Sequence, residues 1–162
     1  MNDPVCMTHD GSPERDELLH YTACGLDNVY LASGYQVREI GGERYISVRD
    51  VEDLHEAIAL FLARKRKVLS GKEVRFIRKY LGLTQRELGA WLKVSDQSIA
   101  RYEKDQTVLD GAADTLLRLL VAAKAEESID VRAELERIQE SDDASDADLT
   151  FERADDEWRA AA

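Results

Sequence analysis

The chain has 162 residues, 44% of them apolar, with 22 Lys and Arg against 33 Asp and Glu, a net charge of −11 and only two cysteines. That length fits one domain or two small ones and excludes a large multidomain enzyme; no apolar run approaches the ~18–20 residues that span a bilayer, and residues 1–11 lack a signal-peptide pattern, so a cytoplasmic protein with no membrane partner is expected. Cys6 and Cys24 are too few for a disulfide framework or a four-thiolate metal site, and the net negative charge taken alone argues against nucleic acid, whose phosphates need Lys and Arg to neutralise them.

Residues 1–20 mix Pro, Asp, Gly and Ser without apolar periodicity and are expected to form a flexible N-terminal tail. From 29 to 48 the composition turns to Val, Ile, Tyr and Leu, broken by Ser33-Gly34 and Gly41-Gly42. A two-residue Gly-Gly loop suits a tight hairpin, because glycine accepts the positive φ of primed turns. Folding about it sets Glu39 opposite Arg44, Val37 opposite Ile46 and Tyr35 opposite Val48, pairs worth ~0.2–1 kcal/mol each. A preceding strand over 29–32 would widen this hairpin into a three-stranded sheet. Asp50 reads as an N-cap, followed by Val51, Leu54, Ile58 and Leu62 at helical spacing, a stripe suited to covering one sheet face until about Arg64. The basic run Arg64-Lys65-Arg66-Lys67 closes this 21–67 module and reads equally as a solvated linker or as a phosphate-contacting arm.

The next segment, 68–124, is the most informative. Ser70-Gly71-Lys72-Glu73 and Thr84-Gln85-Arg86-Glu87 are both capping boxes, in which a hydroxyl takes one orphan N–H and a Glu three residues on reaches back to another. The first opens a helix with Val74, Ile77 and Leu81 on one face that ends near Gly82. The second opens a helix that directs Leu88, Trp91 and Leu92 inward. Ser95 caps a third, short helix that places Ile99 and Tyr102 in the core and leaves Asp96, Gln97, Ser98 and Arg101 outside. A final helix over about 112–123 contributes Leu116, Leu119 and Leu120. Charge follows the same division. Residues 63–104 hold 12 basic and 4 acidic side chains, whereas residues 1–62 hold 4 and 12, and residues 125–162 hold 4 and 14. One cationic block thus sits between two acidic ones, the footprint of a nucleic-acid-binding segment inside an acidic protein.

The stretch LGLTQRELGAWLKVSDQSIARYEKD resembles the helix-turn-helix of the Cro/lambda-repressor-like (XRE) family of bacterial DNA-binding domains. The LGLTQ start, the small residue Gly89, the three-residue turn and the SxxSIxRYE pattern stand in order, over about 55 residues of the chain. The resemblance implies a five-helix domain; four helices are clear here, and the fifth has to come from beyond Lys124. It also implies that the third helix reads the major groove, and the residues agree: Gln pairs bidentately with adenine, Arg with guanine, and hydroxyls read either base. Gln97, Ser98 and Arg101 share one face, Asp96 can accept from a cytosine amino group, and Ser95 and Lys104 complete the contact set at the two ends. Gln85 stands where family members contact a phosphate through side chain and backbone N–H. The family's Arg in the first helix and Glu near the end of the third match Arg78 and Glu103, which implies a structural ion pair between them.

The N-terminal half, YTACGLDNVYLASGYQV with the hairpin and the DVEDLHEAIA helix, resembles the region preceding the helix-turn-helix in MqsA/YgiT-like antitoxin-type regulators. Several of those begin with two CxxC pairs that bind zinc, which this chain lacks. Cys6, His9, His20 and Cys24 offer a Cys2His2 set in principle, but without paired thiols the expectation is free cysteines, no metal and no cofactor. There is no GxSxG, no HExxH and no Gly-rich phosphate loop, and His9, His20 and His55 are scattered, so no enzyme is expected. In the acidic tail, 125–162, residues 126–140 can form a helix carrying Ile129, Leu135 and Ile138, while the SDDASDAD run has too little apolar surface to order. Leu149, Phe151 and Trp158 interrupt that acidity and suit docking on the chain itself or on a basic partner. The expected fold is therefore α+β: a small three-stranded sheet with one helix, then an all-α helix-turn-helix domain and an acidic tail. The expected function is a sequence-specific, dimeric transcriptional regulator that binds double-stranded DNA. As an antitoxin it would also neutralise a basic toxin protein. The alternative is a protein-interaction module whose acidic flanks bind a basic partner, with the helix-turn-helix as scaffold.

Overall fold

The computed structural model describes residues 18–65, 68–126, 128–140 and 148–161. In chain order its elements are β1 (Leu19–His20), β2 (Val29–Leu31), β3 (Tyr35–Ile40), β4 (Glu43–Val48), α1 (Val51–Lys65), α2 (Gly71–Tyr80), α3 (Gln85–Leu92), α4 (Asp96–Glu103), α5 (Gly111–Ala125), α6 (Val131–Gln139), β5 (Leu149–Ala154) and β6 (Glu157–Ala160). The fold is mixed α+β. Two compact units divide the chain, one built from residues 1–57 with 148–162 and the other from 58–147, so the boundary falls inside α1.

In the first unit the strand order is β1-β2-β5-β6. The β2–β5 pair is parallel, Val29 opposite Leu149 and Leu31 opposite Phe151, and the two outer pairs are antiparallel. This corrects two expectations. The hairpin β3–β4 does not join β2 in a three-stranded sheet but forms a two-stranded sheet of its own, in the register Tyr35↔Val48, Val37↔Ile46 and Glu39↔Arg44 read from the sequence. The end of the acidic tail is not loose chain but supplies two strands. Leu149 and Phe151 alternate with polar residues at the period of a half-buried strand, and both are buried with Val29, Leu31 and Trp158. Thr150 and Glu152, which alternate with them, belong to the other face of the strand. Of the SDDASDAD run, 141–148, residues 141–147 lie outside the described residues, as do 1–17 of the expected N-terminal tail; the end of that tail is not loose chain, since Leu19–His20 form β1 and Leu19 is buried.

Polar contacts fix the returning hairpin. Ser33 Oγ donates to the Arg153 carbonyl at 3.2 Å and accepts the Arg153 N–H at 2.8 Å, and the Trp158 indole N–H donates to the Arg49 carbonyl at 3.0 Å. Asp50 stands at the expected N-cap position, its carbonyl accepting the first helical bond from Leu54 N–H at 3.0 Å, but its backbone is left-handed at φ 45° and its carboxylate pairs with the Arg153 guanidinium. The apolar stripe of α1 is also divided. Leu54 is buried in the first unit, Ile58 and Leu62 in the second, and Val51 is exposed.

The second unit is helical. Both capping boxes form, with Ser70 accepting from Glu73 N–H and Thr84 from Glu87 N–H, and Asp110 and Asp130 cap α5 and α6. Its core gathers Leu62, Val74, Ile77, Leu88, Ile99, Leu117 and Val121. The inward face of α5 differs from the expected Leu116, Leu119 and Leu120: Leu116 is exposed, the other two are half-buried, and Ala113, Leu117, Arg118 and Val121 are buried instead. Arg118 turns inward because its guanidinium satisfies backbone groups there, donating to the Leu62 and Ala63 carbonyls at 3.2 and 3.0 Å while pairing with Asp114 at 2.7 Å. A pattern that counts arginine as polar rotates the helix the wrong way. Residues 126–140 belong to this unit, since Arg64 of α1 holds Glu126 at 2.5 Å and Glu134 of α6 at 2.9 Å.

Candidate nucleic-acid interface

Three short helices, α2, α3 and α4, are held together by close backbone approach and one charged cluster. A Cβ on Gly71 would stand 2.6 Å from the Tyr102 carbonyl oxygen, so the start of α2 lies directly on the end of α4. Asp105, just past α4, accepts the Gly71 N–H at 2.6 Å and adds a second cap to α2 that nothing in the local sequence spacing announced. At the α3–α4 turn the Val94 N–H donates to the Gly89 carbonyl at 2.9 Å, and a Cβ on Gly89 would stand 2.7 Å from the Val94 oxygen. Lys93 caps α3 at φ 60°. A small residue at 89 and a left-handed residue at 93 together let the chain reverse within three residues.

Arg78 and Glu103 meet in a two-pronged pair, Nε to Oε1 at 2.5 Å and Nη2 to Oε2 at 3.2 Å, and Arg78 Nη1 also donates to the Leu83 carbonyl at 2.8 Å. Their side chains are only 12% and 5% exposed, so the pair is largely shielded from water. Gln85 joins it, its amide donating to Glu103 Oε2 at 2.9 Å. Burial alone would raise the Glu103 carboxyl, but the hydrogen bonds from Arg78 and Gln85 and the charges of Arg78 and Arg75 outweigh it and hold the carboxyl below its ordinary range. This cluster ties α2, the start of α3 and the end of α4 into one rigid piece.

On that piece α4 presents its outer face. Ser95 Oγ accepts the Ser98 N–H at 3.1 Å, and the two hydroxyls lie 2.9 Å apart, so both serine side chains are engaged in the cap. Asp96 accepts the Gln97 N–H at 2.8 Å. Ile99 is fully buried, whereas Asp96, Gln97, Arg101 and Lys104 are exposed and Ser98 is half-buried. Gln97 and Arg101, one turn apart, share a face, and neither side chain is hydrogen-bonded to another described residue. Their donors and acceptors are free to meet a ligand. Of the expected contact set, Gln85 therefore stands apart, its amide facing Glu103 rather than solvent. Trp91 departs from its expected core position, at 50% exposure. Leu88, Gly89 and Leu92 fill the inward arc of α3, and the tight approach at Gly89 leaves the indole outside. Tyr102 is half-buried.

The remaining candidates lie in the first unit. His20 Nε2 donates to the Asp27 carbonyl at 2.7 Å and stacks on Tyr30, while Cys24 is a free thiol whose Sγ–H points at the Tyr21 carbonyl at 3.5 Å. Cys6 and His9 lie outside the described residues, and among the described residues no group of three or more His, Cys, Asp and Glu could hold a metal ion. His55 is hydrogen-bonded to the Tyr21 hydroxyl at 3.0 Å, and burial pushes its pKa down and that of Cys24 up. Among the described residues no helix is long and apolar enough to cross a membrane. No family model, curated protein or solved structure matches the chain.

Proposed function

We propose that the chain is a sequence-specific DNA-binding regulator of the Cro/lambda-repressor-like kind that reads the major groove with α4. The observation that carries this reading is the exposed, unengaged Gln97–Arg101 face, set on a helix whose opposite side is locked by Arg78, Glu103 and Gln85. Rigid placement matters, because bidentate base contacts tolerate little angular error. Arg101 takes a guanine edge and Gln97 an adenine edge. Asp96, beside them, accepts from a cytosine amino group, Lys104 reaches a phosphate, and the Ser95 and Ser98 hydroxyls hold the N-terminal turn. An eight-residue helix covers only a few base pairs, so the working form is a homodimer on a paired half-site. No catalytic step and no cofactor enter this reading, and its setting is the cytoplasm.

The same reading extends to an antitoxin resembling the MqsA/YgiT type, which represses its own operon through α4 and neutralises a basic toxin through its acidic parts. What supports this extension is the charge division, 4 basic against 12 acidic residues over 1–62 beside 12 against 4 over 63–104. Selection of full-length protein from random duplex DNA tests the core claim. Enrichment of a palindrome with a guanine and an adenine in each half is the expected result. Recovery of unbiased sequence from folded protein overturns it in favour of a protein-interaction module whose helix-turn-helix is scaffold.

A further inference from the structure

The solvent-facing arc of α2 is entirely cationic. Gly71, Glu73, Val74, Phe76 and Ile77 are buried, and Lys72, Arg75 and Lys79 are the exposed members of the helix. At about 100° per residue these three fall within an arc roughly 60° wide. The one acid of α2, Glu73, is buried and accepts the Ser70 N–H at 2.8 Å, so no carboxylate of α2 itself interrupts the arc. The arc also adjoins the candidate interface. Gly71 and Arg78, which border it, both touch the end of α4, and Arg75 is near enough to Glu103 to help hold that carboxyl ionised. Arg101 and Lys104, at the end of α4, are exposed as well.

We propose that Lys72, Arg75 and Lys79 ride the phosphate backbone of one DNA strand beside the groove that α4 reads, and supply the sequence-independent part of the affinity. The proposal rests on the DNA-binding reading above and adds a surface that reading did not assign. From Lys72 to Lys79 the helix rises about 10 Å, the axial span of about three phosphates on one strand. The chemistry is point-charge neutralisation with counterion release, which needs no base identity. A protein with net charge −11 repels duplex DNA at long range, so a concentrated cationic arc beside the reading helix is where that repulsion has to be overcome.

The test uses the full chain and two duplexes, the selected palindrome and a scrambled sequence, with Kd measured across salt concentrations. The variant R75Q/K79Q changes only exposed side chains. It is expected to weaken both duplexes by the same factor, roughly 10–50-fold near 0.15 M salt, and to flatten the slope of log K against log salt by about 2. The ratio between duplexes should stay unchanged, and R75K/K79R should restore the slope. R38Q/R44Q removes the same charge from the β3–β4 hairpin and should leave the slope as in the wild type. A wild-type slope in R75Q/K79Q, an equal change in the hairpin variant, or a change in the ratio between duplexes overturns the proposal alone. Failure of the wild-type protein to distinguish the two duplexes overturns the DNA-reading assignment beneath it.

Discussion

Gly34, in the turn after β2, lies against the Trp158 indole: a Cβ at position 34 would stand 2.5 Å from Cη2 and 2.6 Å from Cζ2 of that ring. Two residues 124 positions apart thus define how the C-terminal hairpin seats on the first unit. Gly34 also has φ +79°, a conformation that disfavours any L side chain. Gly34→Ala is expected to destabilise the first unit by about 2–4 kcal/mol, combining left-handed strain with overpacking against a buried ring. Trp158 fluorescence in a Trp91→Phe background reports this unit alone, since these are the two tryptophans of the chain. A urea midpoint equal to that of the background protein would show that the indole does not sit on this turn.

The Arg78–Glu103 pair makes the helical unit sensitive to acid. Glu103 is held below its unfolded value, near 4.3 for a free Glu, so folding excludes a proton there. Its stabilisation is complete above about pH 4.3 and is lost as pH falls through the lowered folded value. Glu134, held down by its hydrogen bond from Arg64, acts with the same sign in α6. The difference in urea midpoint between wild type and Glu103→Gln, followed by far-ultraviolet circular dichroism, should therefore be largest near neutrality and shrink toward pH 3. A difference independent of pH would mean that Glu103 titrates normally in the folded chain.

The helical unit was more legible in the sequence than the sheet because its signals are local. Ser70, Thr84 and Ser95 announce helix starts within four residues of the groups they cap, and Gly89 marks the tight turn. The Arg78–Glu103 contact came from resemblance rather than from spacing. The β2–β5 pair joins segments more than a hundred residues apart, and no short-range pattern links Val29 to Leu149. Leu149 and Phe151 alternate with polar residues as a half-buried strand does, but the acids of 125–162 dominate the composition of that segment. The inward face of α5 and the position of Trp91 depart from expectation for a shared reason. A buried arginine and an exposed tryptophan each reverse the usual preference, and only the location of the Leu62 and Ala63 carbonyls and the closeness of Gly89 to Val94 explain them.

Arg118 supports the end of α1 from within the core. It is 1% exposed, and its Nη1 donates to the Leu62 and Ala63 carbonyls in the last turn of α1. Arg118→Met keeps much of the volume but leaves those carbonyls and Asp114 without the guanidinium. The expected cost is about 3–5 kcal/mol in the helical unit, the sum of a few buried polar groups left unmatched. Thermal unfolding followed by circular dichroism checks this. A midpoint within a degree or two of wild type would mean that water or a rotated carbonyl replaces the guanidinium without loss.

Gln97 and Arg101 should separate specificity from affinity. Both are exposed on α4 with no side-chain hydrogen bond to another described residue, so truncating either is expected to leave the fold untouched. Gln97→Ala and Arg101→Ala are each expected to cost about 1–3 kcal/mol on the selected palindrome. The losses should differ on scrambled duplex. Gln97 carries no charge, so its removal should leave non-specific binding and the salt slope unchanged, whereas removing Arg101 subtracts one cation and should flatten the slope by at most about 0.9. Each variant should also relax preference at a single base position when selection is repeated. Equal weakening on both duplexes by Gln97→Ala, with the selected sequence unchanged, would show that α4 lies along the backbone and that its glutamine reads no base.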